Sequence, residues 1–151
     1  MNTKYGLICI SKILQEEDSS LNTFKGLSRK QFGELSSTEG TEKALSVLSD
    51  DILDNIDLTV RIIDFCRDNG IDHYRLNTSI FGIVSDPSFD VNISDLPNYD
   101  LIEEGFRSIG RTSITKGVSL SIQPDKFCKL IDDDDSLVDR SIQELNFYSW
   151  F

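Results

Sequence analysis

The sequence predicts an α/β protein of parallel (β/α) repeats, about three units in all. Three short runs rich in β-branched and aromatic residues, at 5–10, 71–76 and 118–122, supply the strands. Each is followed by a segment that carries, or leads into, a helical stripe of apolar residues. Strict alternation of this kind predicts parallel strands joined by right-handed crossovers. Three units are too few to close a barrel, which takes eight and about 250 residues.

Taken in order, Tyr5-Gly6-Leu7-Ile8-Cys9-Ile10 is the first strand. Residues 11–42 are polar, punctuated by Gly26, Gly33 and Gly40, and lack periodicity. A connection of about 30 residues is long for a purely structural one and points to a functional loop. The best helix spans residues 41–69, where Leu45, Leu48, Ile52, Ile56, Val60 and Ile63 form one stripe. Asp50-Asp51 offers a break within it, and Asn69-Gly70 is its stop signal. Residues 71–76 are the second strand, and 81–97, with Asp86-Pro87 and Leu96-Pro97, read as loop. Ile102, Phe106, Ile109 and Ser113 mark a helix over 98–116, closed by Gly117. Val118-Ser119-Leu120-Ser121-Ile122 alternates as the third strand. The run Asp132-Asp133-Asp134-Asp135 precedes a last helix carrying Leu137, Val138, Ile142 and Leu145. Acids there either oppose the helix macrodipole or bind metal. No glycine or basic cap follows that helix, and Phe147, Trp150 and Phe151 beside Tyr148 read as surface meant to be covered.

Composition narrows the function. The 151 residues are 38% apolar and 27% charged, enough for one packed domain over 1–151. Fifteen Lys and Arg against 26 Asp and Glu give a net charge of −11, which argues against non-specific nucleic-acid binding over the whole surface and leaves room for a local basic site. No apolar run spans a bilayer and Met1-Asn2-Thr3-Lys4 does not begin a signal peptide, so a cytoplasmic protein with no membrane partner is expected. Cys9, Cys66 and Cys128 are odd in number and far apart, without the spacing of a disulfide framework or a zinc knuckle.

Ligands of parallel α/β folds bind beyond the carboxyl ends of the strands, here Ser11 onward, 77–86 and 123–126. Val118, Leu120 and Ile122 share the face under the helices. Ser119, Ser121 and Gln123 share the other, as do Arg75 and Asn77. These polar faces either line a hydrophilic interior together or form a half-exposed sheet surface.

Five blocks carry a resemblance. Gly6-Leu7-Ile8-Cys9, Thr23-Phe24-Lys25, Tyr74-Arg75-Leu76 with Ser85-Asp86-Pro87, residues 120–127 and residues 137–145 resemble, in order and spacing, the UV damage endonuclease family. That resemblance covers nearly the whole chain and implies an incomplete TIM barrel of the xylose-isomerase-like kind, the N-terminal half of an enzyme that nicks DNA 5′ to photolesions with divalent metal, often manganese. It implies metal ligands at Asp86, where the family has the His of Ser-His-Pro, and at Gln123, where it has the His of His-Pro-x-Gln-Phe/Tyr. It implies contacts to damaged double-stranded DNA from Ser11, Arg75, Lys126, which replaces the family's polar probe, and Phe127, its aromatic wedge. Leu7 stands where the family has an aromatic. Most of the family's metal ligands lie on later strands, so the resemblance implies that this chain nicks DNA only when a C-terminal half or a second copy completes it. The alternative is a degenerate DNA-binding or assembly half-barrel gripping through Lys12, Lys25, Arg29, Lys30 and Lys126, the first four of which otherwise read as solvated surface. His73, the only histidine, matches no ligand position and reads as structural or surface.

Overall fold

In the computed structural model, residues 4–8, 12–17, 23–124 and 128–149 are described. Strands β1 (Gly6–Ile8), β2 (His73–Leu76) and β3 (Ser119–Ile122) form one sheet in the order β1-β2-β3, parallel throughout. Gly6 lies opposite His73, and His73 opposite Ser119. The three β/α repeats expected from the alternation are therefore present.

Helices α1 (Lys12–Glu17) and α2 (Arg29–Glu39) lie between β1 and the long helix α3 (Thr41–Asp68). After β2 come two short 3-10 segments, Thr78–Ser85 and Ile93–Asp95, then helix α4 (Tyr99–Lys116). Helix α5 (Asp135–Ser149) follows β3. The expectation of a structureless stretch from 11 to 42 is thus corrected. Helix α2 buries no residue completely, so it leaves no apolar stripe to read. Its signal is the capping box of Ser28 and Gln31, in which each side chain bonds the other's backbone amide.

The stripe of α3 faces inward as its spacing requires: Leu48, Ile52, Ile62, Ile63 and Cys66 are fully buried. Asp50 and Asp51 do not interrupt it: α3 runs unbroken from Thr41 to Asp68, with Asp50 exposed and Asp51 half-buried. Gly70, at φ 67°, closes the helix, and the Ile71 amide reaches back to the Cys66 carbonyl at 2.8 Å. Helix α4 packs against α3 at Gly105, where a Cβ would lie 2.9 Å from Ile56 Cγ2. Tyr74 and Val118 join the same core from the sheet.

The loop expected over 81–97 is partly ordered as 3-10 turns because Ile80, Phe81 and Val84 drop into the core. Phe81 stacks on Phe106 at 5.3 Å and takes Phe147 of α5 edge-on at 5.1 Å. Part of the terminal aromatic surface is thereby covered within the chain, while Trp150 and Phe151 lie outside the described residues. The stripe expected for α5 also needs correction. Leu137, Val138 and Leu145 are half-buried and Ile142 is exposed, while Ser141 and Glu144 are the buried positions. Ser141 Oγ accepts from the Lys129 amide of the preceding segment and donates to the Leu137 carbonyl of its own helix, both at 2.8 Å. Within the acidic run, Asp134 caps α5 by accepting the Ser136 amide at 3.0 Å.

Candidate functional site

Period-two alternation turns Leu120 and Ile122 toward the helices and Ser119, Ser121 and Gln123 away from them. The parallel register brings His73 and Arg75 of β2 onto the same side, so the polar faces do point one way. His73 Nδ1 lies 2.9 Å from Ser119 Oγ and Nε2 lies 2.9 Å from Ser121 Oγ. Ser119 Oγ also donates to the Asp72 carbonyl at 3.0 Å, which uses its only proton. The hydrogen-bond network therefore assigns the imidazole proton to Nδ1, and Ser121 donates to Nε2. Gly6 of the first strand lies beside this ring, a Cβ there meeting His73 Cδ2 at an ordinary contact distance of 3.5 Å. One register step toward the carboxyl ends, an Arg75 guanidinium nitrogen donates to Gln123 Oε1.

Beyond β2, Asn77 Oδ1 caps the following turn through the Ser79 amide at 3.0 Å and directs the chain to Asp86. The Asp86 carboxylate accepts from the Ser88 amide at 3.0 Å and the Ser88 hydroxyl at 2.7 Å. It is ion-paired to Arg29 of α2 and faces Arg140 of α5 at 3.7 Å. Burial pushes the Asp86 carboxyl up, but Ser88 and Arg29 together outweigh it and hold the group below the ordinary carboxylate value. Asp86 opens onto a cleft of about 540 Å³, lined also by Ser88, Asn92, Tyr99, Gln143 and Phe147.

The structure brings two of the expected site residues together, Arg75 and Gln123. Asp86 has other partners, and Ser11, Lys126 and Phe127 lie outside the described residues. Several cations named as a DNA grip are already paired, Lys25 with Asp54 at 2.5 Å, Lys30 with Glu34 at 3.8 Å and Arg29 with Asp86. Sequence reasoning missed Arg140 and Ser88. Asp-Pro-Ser was a legible turn signal, since Asx side chains bond the backbone two residues on, but the arrival of Arg140 depends on the docking of α5.

The described residues do not by themselves fit a divalent ion. None of their His, Cys, Asp and Glu side chains gather in threes around a common point. The Asp86 oxygens are engaged by Ser88 and two arginines, and the Gln123 oxygen by Arg75.

A family model described as UV-endonuclease UvdE matches residues 3–150. The chain belongs to that family. Its fold is similar to that in the crystal structure of SacUVDE, with a TM-score of 0.68 at 19% identity over 98% of this chain. The UvdE-family chain spans 44% of the length of that solved protein. No curated protein matches it. Among the described residues no helix is long and apolar enough to cross a membrane.

Proposed function

We propose that this chain is the N-terminal half of a UV damage endonuclease, a cytoplasmic DNA-repair protein that acts on damaged double-stranded DNA. The observation carrying this reading is the UvdE match over nearly the whole chain. The polar sheet face adds to it: Arg75 and Gln123 sit at the carboxyl ends of adjacent parallel strands, where barrels of this kind hold their ligands. In this reading the three β/α units form an incomplete TIM barrel, completed by a C-terminal half or by a second copy. The completed barrel nicks 5′ to UV photolesions. Divalent metal, manganese by the family resemblance, would supply the attacking hydroxide and offset phosphate charge, with its ligands drawn mainly from the completing units. This chain's share is positional. Arg75, held by Gln123, presents charge to the backbone, and Ser11, Lys126 and Phe127 contact the lesion, Phe127 as a wedge in the base stack.

A second reading is favoured by one observation. The two positions where the family has histidine ligands are Asp86 and Gln123, and both engage arginine. A non-catalytic DNA-binding or assembly half-barrel would tolerate that. Fluorescence anisotropy with irradiated and unirradiated duplex in EDTA, at two salt concentrations, combined with a nicking assay in Mn²⁺ with and without the remaining barrel units, separates the two. The endonuclease reading expects nicking once the units are added. Salt-sensitive, lesion-preferring binding with no nicking in any combination selects the second reading. Equal affinity for both duplexes together with no nicking counts against both.

A further inference from the structure

One carboxylate connects three successive β/α units. Arg29 opens α2 between β1 and α3, Asp86 ends the turn after β2, and Arg140 lies in α5 after β3. Arg29 Nη2 donates both to Asp86 Oδ2 and to Ser88 Oγ, and Ser88 Oγ passes its own proton to Asp86 Oδ1 at 2.7 Å. Arg140 Nη2 lies 3.7 Å from Oδ1. Both carboxylate oxygens are thus engaged and flanked by full positive charges.

A divalent cation bound at Asp86 would sit within a few ångströms of two guanidiniums. Like charges at that range repel, and a divalent ion doubles the repulsion that a monovalent one would meet. A hard cation also needs oxygen lone pairs that no donor has claimed. The chemistry around Asp86 is the opposite of what a metal ligand requires.

We propose that Asp86 is the hub of an arginine clamp rather than a metal ligand, its carboxylate joining α2, the turn after β2 and α5. At this one position two arginines of the chain take up the carboxylate, and any metal of the completed barrel would be held by other groups. Arg29 suits this task because its Nη2 lies one bond farther along the side chain than a lysine ammonium and its two N–H donors, one for each acceptor, are fixed in the guanidinium plane. An ammonium on a shorter, flexible stem meets both acceptors less well. The clamp also accounts for Ser88, which relays between Arg29 and Asp86.

The test uses the full chain and no DNA, so it is independent of whether nicking is found. Arg29→Ala, Asp86→Asn and the double variant are compared by thermal unfolding, and Mn²⁺ alone is titrated by electron paramagnetic resonance. Because the groups are partly exposed, each single change should lower the melting temperature by only about 1–4 °C. The double variant should lose no more than the larger single loss, since both remove one connection. Arg29→Lys should recover less than half of the loss, and Mn²⁺ affinity should be the same in wild type and Asp86→Asn. Additive losses, full rescue by lysine, or a Mn²⁺ affinity that falls tenfold in Asp86→Asn would each overturn the clamp. The lysine comparison stands even if Asp86→Asn does not fold.

Discussion

Gly105→Ala should destabilise the protein even though alanine is the better helix former. In the interior of α4 the exchange gains about 0.8–1 kcal/mol of helix propensity. The new Cβ would lie 2.9 Å from Ile56 Cγ2 and 3.0 Å from its Cδ1, well inside carbon–carbon contact distance. Ile56 is 6% exposed and β-branched within a helix, so its χ1 has essentially one setting and the methyl cannot swing away. Overpacking of that kind costs about 1–3 kcal/mol, leaving a net loss of about 0–2 kcal/mol. Gly110, on the same helix, is the internal control: nothing lies within 4 Å of the Cβ it would receive. Gly110→Ala should therefore stabilise by about 1 kcal/mol, and the two variants should differ by about 1–3 kcal/mol. At about 2–4 °C per kcal/mol for a chain of this size, that gap is measurable by circular dichroism melting. Denaturant midpoints at unchanged slope would exclude a denatured-state origin. If both variants melted above wild type by the same amount, α3 and α4 would not approach through Gly105, and the packing described here would be wrong.

Asn55→Ala removes the side chain that pairs with Lys25 like a peptide group, accepting from its amide at 2.7 Å and donating to its carbonyl at 2.8 Å. With Asn55 buried, the loss should be about 2–3 kcal/mol in urea unfolding; a loss below about 0.5 kcal/mol would mean the segment at Lys25 is not anchored to α3. Nitrogen-15 NMR of the imidazole should find His73 as the Nδ1–H tautomer, and an Nε2–H tautomer would break the Asp72–Ser119–His73–Ser121 chain. Burial pushes the Cys66 thiol up to about 11, so the unfolded state ionises first as pH rises. That contribution should reduce stability from about pH 9, with the decline ending near 11, and Cys66→Ser should remove that part of it. Cys66 should also alkylate far more slowly than Cys128 in the native protein, which proteolytic mapping of the labelled sites would check.

The parts of this fold legible in the sequence are those where periodicity and burial coincide. The stripe of α3, the alternation of β3 and the stops at Gly70 and Gly117 all read directly, because each position answers to its local geometry. Helix α2 did not, since its contacts run through half-buried Phe32, which meets Phe89 edge-on at 5.0 Å, and not through a buried stripe. The face of α5 was only partly read, because its contacts to the core run through Phe147 and Tyr148 against Phe81 and a buried serine hydroxyl sits where an aliphatic group was expected. At the site, alternation put Arg75 and Gln123 each on a polar face of its own strand, and the parallel register of β2 and β3 is what brings the two together. The engagement of Asp86 by Arg29 and Arg140 could not be read, because it depends on how three units separated by more than fifty residues meet at one point.

The most direct test of the endonuclease account is a duplex bearing one site-specific UV photoproduct, end-labelled on the damaged strand and run on a sequencing gel. The chain is incubated in Mn²⁺ alone and then with the remaining barrel units of a UV damage endonuclease. The account predicts an intact strand with the chain alone and a single nick immediately 5′ to the lesion with the completed barrel. An intact strand in both lanes, from a chain that binds the added units, would contradict it.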